Sequence, residues 1–220
     1  DMTGIRFEHP EWIPEKCTGC GNCWTICPDS AIPGLVNTLA DVLETAAKRV
    51  EKTVGPVKYV RRLLPFVERK WREKLAAGTE NDSVVTHLTA AVEEALEQSS
   101  LTGSDRAALE KEIEDMISIL REFKFAVTKP YFTLKEKDEK GSGGLLSITI
   151  DPYTCKGCME CVRVCPDDAL RVVTQTPETI DKLRKNWEFW LDLPNTKPEF
   201  IRVEDLEEAQ RCIEQLKANN

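Results

Sequence analysis

The feature that most constrains this chain is a cysteine run that occurs twice, as CTGCGNCWTICP at 17–28 and as CKGCMECVRVCP at 155–166. Both runs have the spacing Cys-x2-Cys-x2-Cys-x3-Cys-Pro, and together they contain eight of the nine cysteines. Three cysteines at successive two-residue gaps allow one short loop to surround a cubane of iron and sulfide. Disulfide frameworks and four-cysteine zinc sites, the alternatives, space their cysteines differently. The repeat therefore predicts two [4Fe–4S] clusters.

The run resembles that of bacterial two-cluster ferredoxins, in which the fourth cysteine ligates the other cluster. This resemblance implies that the first cluster is held by Cys17, Cys20, Cys23 and Cys165. The second cluster is then held by Cys155, Cys158, Cys161 and Cys27. The exchange of fourth ligands would join the two halves of the chain across the 127 residues between Cys27 and Cys155.

Residue patterns around the runs predict an α+β fold, with a dicluster ferredoxin-like core and a large α-helical insertion between the two motifs. Segments 5–13 and 145–151 lead into the motifs as strands, and 145–151 alternates between apolar and polar residues as a half-buried strand does. We expect two more strands at 169–173 and 125–134, with Pro130 confining the second of these to a sheet edge.

The predicted division of the chain has three parts. The core takes in 1–35 and 125–175, the helical insertion 36–124, and a C-terminal extension 176–220. Within the insertion, apolar periodicity and polar connectors predict helices at 36–54, 57–75, 84–96 and 104–120. The charged stretch 135–144 is predicted to be a flexible loop. An amphipathic helix over 204–218 is expected to bury the lone Cys212 as a small apolar residue.

Composition excludes several classes of protein. A net charge of −8 disfavours nucleic-acid binding, which needs a basic face. The sequence has no apolar run of about 18 residues to cross a membrane, and its first residues do not form a secretory signal. Cluster-bound thiolates survive best in a reducing compartment, so we expect a cytoplasmic location. Neither histidine has a catalytic partner and no phosphate-binding motif is present, so we expect no substrate-converting site in this chain.

Charged residues near the motifs also carry predictions. Asp29 flanks the first run, and Glu160, Asp167 and Asp168 flank the second. Negative charge near a cluster disfavours an added electron, so these carboxylates favour low reduction potentials. The segment 58–74 has seven basic residues against two acidic ones. It is either a solvated face or a docking surface for an acidic electron carrier.

The flanks of the motifs carry a second resemblance. They read WIPEK before Cys17, C-P-x-x-A-I at 27–32, and NWEF at 186–189 followed by Leu193-Pro194. In these features the chain resembles the ferredoxin-like domain of pyruvate:ferredoxin oxidoreductases and related 2-oxoacid:acceptor oxidoreductases. Two departures are the length of the helical segment and Asp29, where that domain often has a histidine.

This second resemblance implies a relay role. A thiamine diphosphate-dependent site elsewhere in the enzyme would convert a 2-oxoacid to an acyl-CoA, because this chain has no thiamine diphosphate signature. Electrons would leave through the two clusters to ferredoxin or flavodoxin. Two alternatives stay open. One is a stand-alone dicluster ferredoxin or a subunit of another redox complex, such as a hydrogenase or formate dehydrogenase. The other is a redox-sensing or structural module.

Overall fold

The computed structural model describes residues 1–79 and 82–201. Its strands and helices are β1 (Glu8–Trp12), α1 (Asn22–Ile26), β2 (Gly34–Thr38), α2 (Leu39–Thr53), α3 (Leu64–Ala77), α4 (Val84–Gln98), α5 (Gly103–Glu122), α6 (Leu134–Asp138), β3 (Gly144–Ile148), α7 (Glu160–Arg163), β4 (Leu170–Thr174) and α8 (Pro177–Asp192). This mixture of helices and small sheets confirms the predicted α+β class. The predicted helix at 204–218, with Cys212, lies outside the described residues.

Two small antiparallel sheets bring the cysteine runs together. In the first sheet β1 pairs with β4, from Glu8 opposite Thr174 to Trp12 opposite Leu170. In the second, β2 pairs with β3, from Gly34 opposite Ile148. Each sheet therefore joins the strand that precedes one run to the strand that follows the other. The short helices α1 and α7, which begin inside the runs, pack against each other as a result.

The helices between the runs form their own apolar core. The predicted stripe of α5 is buried as expected, at Leu109, Ile113, Met116, Ile117 and Leu120. Trp71 of α3 is 1% exposed, and its indole N–H donates to the Val84 carbonyl at 3.0 Å. The predicted helix at 57–75 is divided, because Pro65 lies in the first turn of α3 and the chain before it forms a separate 3-10 turn at Val60–Arg62.

Four local predictions were wrong. Strand β3 is buried along its whole length, Ser147 included, and not on one face only. The segment 125–134 is not a strand: Ala126 makes an isolated bridge to Leu146, and a π-helical turn follows at Lys129–Thr133. Pro130 has no N–H for a strand ladder, but the first turn of a helix does not need that donor. The stretch 135–144 is not a loop throughout, because its first residues, up to Asp138, belong to helix α6. The predicted helix at 36–54 starts only at Leu39, after β2, where the Thr38 hydroxyl accepts from the Asp41 N–H at 3.1 Å as an N-cap.

Helix α8 was not predicted, although its start is clearly encoded. Thr176 and Thr179 form a reciprocal capping box, and Pro177 lies in the first turn. The helix is held against α2 by Arg49, which forms ion pairs with Glu188 at 2.6 Å and Asp192 at 3.0 Å. Within 1–79 and 82–201, no helix has the length and apolar character needed to cross a bilayer.

Candidate iron–sulfur sites

Two small cavities of similar size are lined by the cysteines of the two runs. The cysteines around the first cavity are Cys17, Cys20, Cys23 and Cys165. Those around the second are Cys27, Cys155, Cys158 and Cys161. Each cavity thus takes three cysteines from one run and the fourth from the other. The grouping is the one that the ferredoxin pattern implies.

The electrostatics of the thiols fit an iron–sulfur cluster. Burial, followed by repulsion from neighbouring cysteines, raises the pKa of Cys23 to about 12 and that of Cys161 to about 11. Burial also raises the pKa of Cys17, with Cys165 among the contributors, and the pKa of Cys155, with Cys27 among them. Four thiolates packed this closely need cationic charge among them. The iron ions of a cluster supply that charge, so the donor set suits the cofactor.

The two loops have matching backbone conformations. Gly19 and Gly157, each two residues after the first cysteine of its run, have φ of +75° and +72°. The residues that precede the short helices, Gly21 and Met159, also have positive φ, at +86° and +62°. These left-handed turns wrap each loop around its cavity and leave the second cysteine, Cys20 or Cys158, exposed.

The fourth cysteines are held alike. The Ala31 N–H donates to the Cys27 sulfur, and the Ala169 N–H donates to the Cys165 sulfur, both at 3.2 Å. A hydrogen bond to sulfur stabilises its anionic form and orients it. Because Cys27 and Cys165 occupy the same place in the two runs, the repeated sequence also repeats this support.

Two polar contacts cross between the runs at equivalent positions. The Thr18 hydroxyl donates to Asp167 at 2.8 Å, and the Lys156 ammonium lies 2.6 Å from Asp29. In each pair, the residue after the first cysteine of one run meets the aspartate that follows the Cys-Pro of the other. Lys156 therefore partly neutralises the charge of Asp29, whereas Asp167 only accepts a hydrogen bond from a neutral hydroxyl. Glu160 is also paired, with Arg163 at 2.6 Å.

The surroundings of the two cavities differ. Trp12 and Trp24 line the first, and the buried indole N–H of Trp12, which makes no hydrogen bond of regular geometry within the described part of the chain, opposes the rise in the pKa of the Cys17 side chain. Beside the second, the buried guanidinium of Arg6 donates through Nη1 to the Cys155 carbonyl at 2.7 Å. Sequence reasoning missed Arg6. The signal was available, because Arg6 lies eleven residues before Cys17, and the same position before Cys155 is Gly144.

Comparison with known families defines the class of these sites. Residues 10–32 and 148–171 each match the 4Fe-4S binding domain family. The prediction of two [4Fe–4S] clusters is thereby confirmed, and the chain is a dicluster iron–sulfur protein.

Individual relatives make the comparison more specific. The chain is 38% identical over 66 residues to a Synechocystis protein named pyruvate-flavodoxin oxidoreductase, a match that covers 27% of this chain and 6% of that protein. It is 33% identical over 83 residues to the pyruvate dehydrogenase [NADP(+)] of Cryptosporidium parvum, covering 37% and 4%. For the pyruvate-flavodoxin oxidoreductase of Nostoc the identity is 29% over 82 residues, covering 34% and 7%.

These relatives confirm the resemblance to the ferredoxin-like domain of pyruvate:ferredoxin oxidoreductases. The matched segments span less than a tenth of the length of each relative. No solved structure matches the chain significantly.

Proposed function

We propose that this chain is the electron-transfer domain of a 2-oxoacid oxidoreductase. Its two clusters pass single electrons from a thiamine diphosphate-dependent site in another domain or subunit to ferredoxin or flavodoxin. In this proposal Cys17, Cys20, Cys23 and Cys165 hold the first cluster. Cys155, Cys158, Cys161 and Cys27 hold the second. The observation that carries the proposal is the pair of four-cysteine cavities, each supplied by both runs.

The closeness of the two cavities supports the relay. On β1, Pro10 lines the second cavity and Trp12 lines the first. Two residues along a strand advance by roughly 6.6 Å, so the cavities are neighbours on one strand. Bound clusters supply reversible one-electron chemistry. Clusters held in the two cavities would lie close together, which would allow an electron to move from one to the other.

The proposed architecture is a ferredoxin-like core formed by 1–35 and 125–175, into which the helical segment is inserted. Separate apolar clusters support this division. One is built mainly from α2–α5, and the other surrounds the cysteines with residues such as Trp12, Ile32 and Leu170. Since β2 pairs with β3, we place the start of the insertion after Thr38 instead of at residue 36. A reducing, cytoplasmic location is part of the proposal.

The basic segment 58–74 does not support a docking surface for the carrier. Arg61 is paired with Glu44 at 2.6 Å and with Glu51 at 2.9 Å. Further ion pairs join Arg72 to Glu68, and Lys74 to Glu94. Much of the positive charge is thus neutralised within the fold, which favours the interpretation as a solvated face.

The test is pre-steady-state reduction of the intact protein that contains this chain. After anaerobic purification we expect about eight iron ions per chain, as two [4Fe–4S] clusters require. Freeze-quench EPR after mixing with a 2-oxoacid and coenzyme A should show the clusters reduced, then reoxidised when ferredoxin or flavodoxin is added. Clusters that stay oxidised with the 2-oxoacid but are reduced by hydrogen or formate would place the chain in another redox complex. Clusters that cannot be reduced reversibly would contradict an electron-transfer role.

A further inference from the structure

Arg6 is a buried cation whose direct partners are neutral. Only 6% of the surface of Arg6 is exposed to solvent. Nε donates to the Gln175 amide oxygen at 2.6 Å, and Nη1 donates to the Pro152 and Cys155 carbonyls at 3.0 Å and 2.7 Å. Asp151 acts on Arg6 electrostatically, but its carboxylate already accepts hydrogen bonds from Tyr153 and Thr154. No carboxylate of the described residues forms an ion pair with Arg6.

The remaining guanidinium nitrogen is left without a partner. Nη2 of Arg6 is buried and makes no hydrogen bond of acceptable geometry to any described residue. Burial lowers the pKa of Arg6, whereas interaction with the Cys155 side chain raises it. A buried, unpaired cation is strongly unfavourable unless an anion compensates it. Beside Asp151, the anion that this position offers is the Cys155 thiolate, carrying the charge of the second cluster.

The first cavity lacks a counterpart. The residue at the position equivalent to Arg6 is Gly144, which has no side chain. A carboxylate lines each cavity at the equivalent position, Asp167 the first and Asp29 the second, and Trp12 offers Cys17 only a neutral donor. Lys156 lines the second cavity, but its side chain is 58% exposed and paired with Asp29, so solvent and the carboxylate screen its charge. Arg6 is therefore the main electrostatic difference between the two sites.

We propose that Arg6 sets the order of the two clusters, by making the second cluster easier to reduce than the first. An added electron increases the negative charge on the cluster, and a cation held at short range in a low dielectric stabilises that reduced form most. Arginine stays protonated in proteins, so its charge is present in both oxidation states. An electron that leaves the first cluster, oxidising it, comes to rest on the second. The inference rests on the cluster assignment made under the proposed function.

The test is an EPR-monitored redox titration of the anaerobically prepared full chain, with each cluster identified by the paramagnetically shifted NMR signals of its cysteine β-protons. In the unmodified protein, the signals of Cys155 and Cys161 should report reduction at a higher potential than those of Cys17 and Cys23. Arg6→Gln should lower the reduction equilibrium constant of the second cluster at least ten-fold, which is 59 mV for one electron. The first cluster should change less.

Two matched variants separate charge from structure. Arg6→Lys keeps the charge, so the midpoint potential of the second cluster should stay close to that of the unmodified protein. Lys156→Gln should shift this midpoint less than Arg6→Gln does. An unmodified protein whose first cluster is reduced before or together with the second would overturn the inference, even if Arg6→Gln did not fold. An unchanged second midpoint in Arg6→Gln would do the same while leaving the relay function intact. Failure of both clusters to undergo reversible one-electron reduction would instead remove the proposed function.

Discussion

The two cysteine loops have nearly the same sequence pattern and backbone, yet they meet different parts of the molecule. The first loop packs at Gly19 against the side chains of Thr128 and Tyr131, which follow the helical segment in the sequence. The second packs against the backbone and side chain of the N-terminal residues Arg6 and Glu8. Repeated sequence thus makes two equivalent donor sets, and unrepeated neighbours make the sets unequal. We therefore expect ligation and tuning to be encoded in different parts of the chain.

The exchanged cysteines offer the sharpest test of this equivalence. Cys165→Ala should abolish the first cluster and leave the second, because the Cys165 sulfur lines the first cavity. Cys27→Ala should do the opposite. We expect loss of about four iron ions in each case, since one [4Fe–4S] cluster is removed. Iron analysis and the cysteine β-proton signals measure the loss. If Cys165→Ala instead removed the signals of Cys155 and Cys161, each run would hold its own cluster.

The loop glycines should respond unequally. Both have left-handed φ, where an L-residue costs about 1–2 kcal/mol. A Cβ on Gly157 would also lie 2.6 Å from the Glu8 carbonyl oxygen, whereas one on Gly19 would lie 3.2 Å from the movable Tyr131 ring. In Gly157→Ala, this clash with the backbone should lower the free energy of unfolding by about 1–3 kcal/mol more, the usual cost of overpacking. Gly157→Ala should therefore lower the anaerobic denaturation midpoint more than Gly19→Ala. Equal decreases in the two midpoints would mean that the backbone at Glu8 moves aside as easily as the Tyr131 side chain does.

Trp12 tests the smaller tuning of the first site. Trp12→Phe removes the indole N–H beside Cys17 and keeps an aromatic ring. A neutral donor at this position contributes at most about 1 kcal/mol, so the reduction equilibrium constant of the first cluster should fall by no more than about five-fold. The same redox titration measures it, with the second cluster as the internal control. A shift confined to the second cluster would show that Trp12 does not act through Cys17.

The two crossing contacts should show the smallest effects. Thr18→Ala removes a hydrogen bond to Asp167 and should lower the free energy of unfolding by less than about 1 kcal/mol. Lys156→Met removes the exposed ion pair with Asp29, and its effect should be slight and vanish with added salt. Denaturant unfolding of both variants at low and at high ionic strength distinguishes the hydrogen bond from the ion pair. A salt-insensitive decrease in Lys156→Met would show that this pair is better shielded from water than its exposure implies.

The sequence alone predicts those features whose signals are local. Cysteine spacing identifies the cluster type. The apolar stripe from Leu109 to Leu120 identifies α5 as a helix, because the whole pattern lies within the twenty residues of that helix. Strand β2 escaped prediction because its supports are distant. Its partner is β3, and Asn37 donates to the Pro194 carbonyl at 2.8 Å. For Arg6, the sequence shows the asymmetry with Gly144, but the acceptors at Pro152 and Cys155 are known only from the folded chain.

The sharing of cysteines between cavities has a consequence for synthesis on the ribosome. Neither cavity has its full set of cysteines until the second run has been made, and 127 residues separate Cys27 from Cys155. At translation rates of about 5–20 residues per second, that interval lasts roughly 6–25 s. During it, the first four thiols are exposed on a nascent chain that cannot complete a cluster. We therefore expect each complete cluster to be inserted only after both runs have been translated.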